Sequence, residues 1–241
     1  VALLLASLGI CRLAGADTRH GALSMPEPST TALLVDYFEE FLEGRDVEIF
    51  RRRVLSRYTE ATLSRLAVSG DETSRRAAVL ALGLVGSFQS NPVVARALRD
   101  PDPVVRRLAQ NALWAIWFRA DSPQNNAALE RIRLLNERQH LDDAIRAASH
   151  LIERAPHFAE AYNQRAIAYF GKGLYSDSAA DCRLVIERNP FHIGALAGLG
   201  KCYLEMGRTS EALGIFRKAF ELQPFDDDLR QTIQVLEASE P

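Results

Sequence analysis

Histidine, cysteine and clustered arginine are the residues of this chain whose types could support chemistry, and their spacing decides which kind. His20, His140, His150, His157 and His192 are scattered. None belongs to a His-Glu-x-x-His helix, and the chain has neither a Gly-x-Ser-x-Gly turn nor a glycine-rich phosphate loop. Cys11, Cys182 and Cys202 are an odd set without metal or redox spacing. The last two fall on helical core positions and read as structural thiols in a reducing compartment. The acid pairs Glu39–Glu40 and Asp142–Asp143 sit at helix surfaces or N-termini, where solvation and the helix dipole account for them. The expectation is a protein that is not an enzyme and needs no metal or cofactor. Arg51–Arg53, Arg75–Arg76 and Arg106–Arg107 could hold an anion, yet three consecutive side chains cannot share one helix face. Of the 29 basic residues only three are lysine, a bias that GC-rich coding explains. Charge is balanced: 15 basic against 14 acidic residues in 1–124 and 14 against 17 in 125–241, so neither half announces nucleic acid.

What must position these residues is a repeat. Residues 159–192 align on 193–226 at a spacing of 34, placing Ala161 on Ala195, Tyr169 on Tyr203, Gly173 on Gly207, Glu187 on Glu221 and Pro190 on Pro224. A period of that length marks a helix–turn–helix solenoid. In each unit the first helix turns one stripe inward: Tyr162, Arg165, Ala166 and Tyr169, then Leu196, Leu199, Gly200 and Tyr203. Ala166 and Gly200 are small because a paired helix crosses there. Gly173 and Gly207 suit a left-handed helix end, and Pro190 and Pro224 close the second helix. The pattern resembles the tetratricopeptide repeat, with its aromatic in the first helix, mid-repeat glycine, small residue in the second helix and terminal proline.

Counting back 34 from Pro190 reaches Pro156 and a weaker copy, 125–158. Its second helix fits, with Ala144, Ala148 and Leu151 where Ser178, Cys182 and Val185 follow. Its first helix departs, with Ile132 in place of a small residue and Gln139 in place of glycine. Residues 227–239 carry Leu229, Ile233 and Leu236 at helical spacing behind Asp226–Asp228, which predicts a capping helix over the last repeat.

The chain upstream is helical in pattern too. Residues 31–44 bring Leu34, Tyr37, Phe38, Phe41 and Leu42 to one face, and Asp46 caps a helix with Val47, Phe50, Val54 and Leu55 inward. A second spacing, 31, sets Asp71 on Asp102, Arg75 and Arg76 on Arg106 and Arg107, Ala78 on Ala109 and Leu82 on Leu113. This stretch resembles the HEAT repeat, of the short kind also found in phycobilin lyases. The resemblance implies that these aspartates and arginines form a ladder between repeats. Trp114, Trp117 and Phe118 make an aromatic stripe expected to pack on the irregular first helix of 125–158.

The expected fold class is therefore all-α: an α-α superhelix of HEAT-like pairs (31–120), three tetratricopeptide repeats (125–158, 159–192 and 193–226) and a capping helix (227–239). In that family the first helices line a concave face. Here that face would present Arg133, Asn136, Asn163, Ile167, Phe170, Lys201 and Leu204 to a protein or peptide partner, with Phe170 and Leu204 as anchors. The offsets at which some members clamp a C-terminal carboxylate hold Leu129, Arg133, Gln164, Gly194 and Gly198, so that clamp is not expected. The function so implied is a non-catalytic interaction scaffold. The alternative is a lyase-type or chaperone-like assembly factor acting through the arginine-rich 51–107 region. Residues 1–16 are apolar but short for a membrane span and lack a basic leader, and 17–30 read as a disordered linker. Met25 opens a second plausible start, which favours a cytoplasmic protein over an exported or anchored one.

Overall fold

The computed structural model describes residues 30–239, so the readings of 1–29, Cys11 included, lie outside the described residues. Among the described residues all regular structure is helical, and the chain divides into two compact units, the boundary falling after Ala115.

The first unit holds α1 (Thr30–Gly44), α2 (Val47–Arg57), α3 (Glu60–Ser69), α4 (Glu72–Val85), α5 (Asn91–Arg96) and most of α6 (Pro103–Phe118). Asp46 begins α2 by accepting the N–H groups of Glu48 and Ile49 at 3.0 and 2.9 Å. Leu34, Phe38 and Phe41 of α1 and Phe50 and Val54 of α2 are buried, and the Phe41 and Phe50 rings lie 5.5 Å apart. Leu55 departs from its expected inward position: α2 buries only the narrow stripe through Phe50 and Val54, and Leu55 is exposed. Where α4 crosses α6, Gly83 is required, since a Cβ there would stand 2.9 Å from that of Ala112.

The ladder implied by the 31-residue spacing is present. Asp71 accepts the Ser74 N–H at 2.8 Å, and Asp102 accepts that of Val104 at 3.0 Å. Arg76 donates to Asp102 at 2.6 Å, and Arg75 donates twice to Asp100, at 2.7 and 3.0 Å. Arg106 donates to the carbonyls of Asp100 and Pro101, each at 2.8 Å. Burial alone would raise the Asp102 carboxyl, but the Arg76 hydrogen bond, the Val104 N–H and the Arg76 charge hold it below the usual carboxylate range.

The second unit runs from Ile116 through α7 (Pro123–Glu137), α8 (Leu141–Arg154), α9 (Ala159–Gly171), α10 (Tyr175–Arg188), α11 (Ile193–Glu205), α12 (Thr209–Leu222) and α13 (Asp227–Ser239). Each helix packs on its neighbours in sequence, and the first helices of successive repeats also touch, α7 with α9 and α9 with α11. The starts of α9, α11 and α13 are 34 residues apart, as are their ends, so the capping helix is built as a further first helix. Gly173 and Gly207 have φ of 75° and 72°, and Gln139, at the same place in the first repeat, adopts 60°. A Cβ on Gly200 would meet the Phe216 ring at 2.6 Å, which is the close crossing expected there. Arg165 lies on the inward stripe because it donates to Asp181 at 2.7 and 2.8 Å and to Ser149 at 3.0 Å, with the Tyr162 and Tyr169 rings on either side. Leu229, Ile233 and Leu236 seat α13 on the cluster that contains Leu199 and Tyr203, and Asp226 accepts the Leu229 N–H at 3.0 Å.

Candidate functional site

The first helices α7, α9 and α11 carry the seven residues expected to meet a partner, and the second unit places them in three different ways.

Asn136 and Asn163 are buried and held internally, which corrects the expectation that they face a partner. They belong to a polar network at the inner side of α9. The Glu160 Oε1 atom accepts from Asn163 Nδ2 and from Gln164 Nε2, both at 2.8 Å. Asn136 Nδ2 donates to the Gln164 carbonyl at 2.9 Å and to its Oε1 at 3.0 Å. His192 Nε2 meets the other carboxyl oxygen, Oε2, at 2.8 Å. His192 Nδ1 accepts the Ala195 N–H at 3.0 Å, so the imidazole both caps α11 and, with its proton on Nε2, donates to Glu160. The Trp117 indole stacks on this ring at 4.1 Å and 19°. Glu160 and His192 are fully enclosed. Trp117 thus packs on the start of α11, whereas the sequence assigned the whole aromatic stripe to the first helix of 125–158; Phe118 does pack with Leu129 and Ile132 there.

Arg133, Phe170 and Leu204 are half-buried. Arg133 is gripped along its own helix by Glu130, at 2.6 and 3.0 Å, and by Glu137. The Glu130 hydrogen bond pushes its pKa further up. Phe170 sets its edge against Tyr175, ring centres 5.3 Å apart, and like Leu204 it leans on the core around Leu199 and Phe216. The anchors inferred from sequence therefore spend much of their surface inside the repeat stack.

Ile167 and Lys201 are exposed, Ile167 by 44%. Val235, which stands 34 residues beyond Lys201, is exposed by 61%. Sequence reasoning passed over it because 227–239 was read only for its buried stripe; the 34-residue period, carried one step further, finds it. Lys201 has no carboxylate partner among the described residues. Glu205, one turn along α11, faces the Tyr175 hydroxyl and raises its pKa by its charge. A separate shallow cleft of about 430 Å³ between α7 and α8 is lined by Pro123, Ala127, Arg131 and Arg154 and contains none of these residues. Among the described residues no His, Cys, Asp or Glu cluster could hold a metal ion, and no helix is long and apolar enough to cross a membrane.

Among the described residues these features are those of an all-helical repeat protein in which α9, α11 and α13 expose Ile167, Lys201 and Val235 at one repeat position. Comparison with known proteins makes the class specific. HEAT repeats match residues 59–149, and two tetratricopeptide-repeat families match 129–193 and 193–226, the first overlapping the HEAT match over 129–149. The human WD and tetratricopeptide repeats protein 1 is 37% identical over 78 residues, 31% of this chain, which spans only 12% of that protein's length. A TPR repeat-containing protein of Rhizobium etli is 24% identical over 138 residues, 57% of this chain and 68% of the relative. The Sgt2 TPR domain from Aspergillus fumigatus matches at 19% identity and a TM-score of 0.45, over 48% of this chain and 79% of that domain. Over the matched residues the chain carries HEAT-like repeats followed by tetratricopeptide repeats.

Proposed function

We propose that this protein is a non-catalytic scaffold that binds an extended segment of a partner protein across the exposed face of α9, α11 and α13. The single observation that carries the reading is the stripe Ile167–Lys201–Val235. Two large apolar side chains lie in water at equivalent places on repeated helices, with an uncommitted cation between them. Exposed apolar residues that recur in register across a surface mark interaction sites more often than scattered ones do. Of the residues inferred from sequence, Ile167 and Lys201 make direct contact in this reading, Phe170 and Leu204 form the wall beside them, and Arg133, Asn136 and Asn163 hold the scaffold in shape. Within the arginine-rich region Arg75, Arg76 and Arg106 are committed to Asp100, Asp102 and backbone carbonyls, which weighs against it as a rival site. A cytoplasmic, reducing setting suits the two adjacent buried thiols, Cys182 and Cys202.

The test is site-specific photocrosslinking of the full chain in cells that express it. A photoreactive residue at Ile167 or Val235 should capture the same partner bands, and one at Glu187, on the exposed side of α10, should not. Equal capture from all three positions would refute the reading.

A further inference from the structure

Granting that the stripe is the binding face, its register specifies the chemistry of what binds. Arg133, Ile167, Lys201 and Val235 occupy one position of the 34-residue unit, and the helices of the last three, α9, α11 and α13, have matching bounds. Packed helices stand about 8–10 Å apart, and an extended chain of the polyproline-II kind advances about 3.1 Å per residue with three residues per turn, so that every third side chain shares a face. A segment crossing the helices therefore moves about three residues for each helix it passes.

The charges on the stripe are unequal. Arg133 is neutralised in place by Glu130 and Glu137. Lys201 is not, since Glu205 is turned to Tyr175. An exposed ammonium flanked by two exposed aliphatic side chains is complemented by a carboxylate flanked by two apolar groups. The half-buried Phe170 and Leu204, three residues beyond Ile167 and Lys201 on their helices, add apolar surface beside the track rather than further charge. We propose that the partner carries an extended seven-residue element of the form apolar-x-x-acidic-x-x-apolar, its Asp or Glu on Lys201 and its outer residues on Ile167 and Val235. Because the pattern is symmetric about the acid, either chain direction satisfies it.

The experiment is selection of a random heptapeptide display library on the purified full-length protein, repeated on Lys201→Glu, Ile167→Asp and, as a control on an exposed face of α12, Lys218→Glu. All the substituted side chains are solvent-exposed, and thermal melts confirm that each variant is folded. The expected result is enrichment of apolar residues at the first and seventh positions and Asp or Glu at the fourth. Lys201→Glu should weaken the best wild-type peptide by about tenfold, the repulsion adding to the lost ion pair, and should re-select Lys or Arg at the fourth position. Lys218→Glu should change nothing. Peptides that depend on Ile167 but carry another pattern would overturn the acidic heptad and leave the binding face standing. Enrichment indifferent to Ile167 and Lys201, or none at all, would overturn both.

Discussion

Replacing Glu160 with alanine is expected to destabilise the C-terminal repeats by about 3–5 kcal/mol. Three enclosed donors converge on this carboxyl group: Asn163 Nδ2, Gln164 Nε2 and His192 Nε2, each at 2.8 Å. A buried donor stripped of its acceptor costs about 1–3 kcal/mol, so three at the lower end already reach about 3. Glutamine tests the geometry separately from the volume. Its amide must turn its NH2 toward either His192 or the Asn163 and Gln164 amides, and both sides present donors. His192 cannot reverse its role, because Nδ1 is occupied by the Ala195 N–H. Glu160→Gln should therefore cost about 1–3 kcal/mol, less than alanine but well above zero. Hydrogen exchange on the full chain, read on peptides from α9 and α11, reports this unit without assuming that the whole chain unfolds in one step. A loss of about 3–5 kcal/mol speeds globally limited exchange by about two to three and a half orders of magnitude. A Glu160→Ala effect below about 1 kcal/mol, or equal costs for the two variants, would refute the reasoning.

Trp117→Ala should cost about 3–5 kcal/mol, and its cost should not add to that of His192→Ala in a double-mutant cycle, since the stacked rings share one site. Urea unfolding of the two single variants and the double variant measures this. Gln139→Gly should stabilise the first repeat by about 1 kcal/mol, because a side chain is now held at φ 60° where Gly173 and Gly207 serve the later repeats; a lowered melting temperature would contradict it. For the first unit, the depressed Asp102 carboxyl contributes stability that is fully present above the ordinary carboxylate range and is lost as pH falls through its folded value. The gap in melting temperature between wild type and Asp102→Asn should therefore be widest near neutral pH and narrow below about pH 4. A gap that stays constant from neutral pH to pH 3 would remove Asp102 from the account.

The stacked architecture was legible because stacking like units makes like demands. Gly173 and Gly207 both need left-handed backbone, and Asp71 and Asp102 both cap helices, so each requirement recurs at a fixed interval. The polar network escaped for the opposite reason, since it occurs once. Glu160 aligns with Gly194 and Asn126, neither of which could take its part. A weak signal did exist: His192 stands 34 residues before Asp226, and both accept the N–H three residues on, at the starts of α11 and α13. Leu55 misled because helical spacing fixes which side chains share a face but not how wide a face the neighbouring helices will cover.

The bond between Glu160 and His192 also limits how this array could have grown. It joins a residue inside one repeat to the residue that opens the helix of the next, a distance of 32 positions. Both partners lie in the 159–192 unit, so a copy of that unit carries acid and imidazole together, whereas neither neighbouring repeat supplies them. An added repeat after Pro224 would meet only the recurring apolar surface of α11 and α12, to which α13 is already fitted. The modules of this protein are therefore not interchangeable beads. The second carries both halves of its own latch, and a unit put in its place without them would leave a buried polar group unanswered.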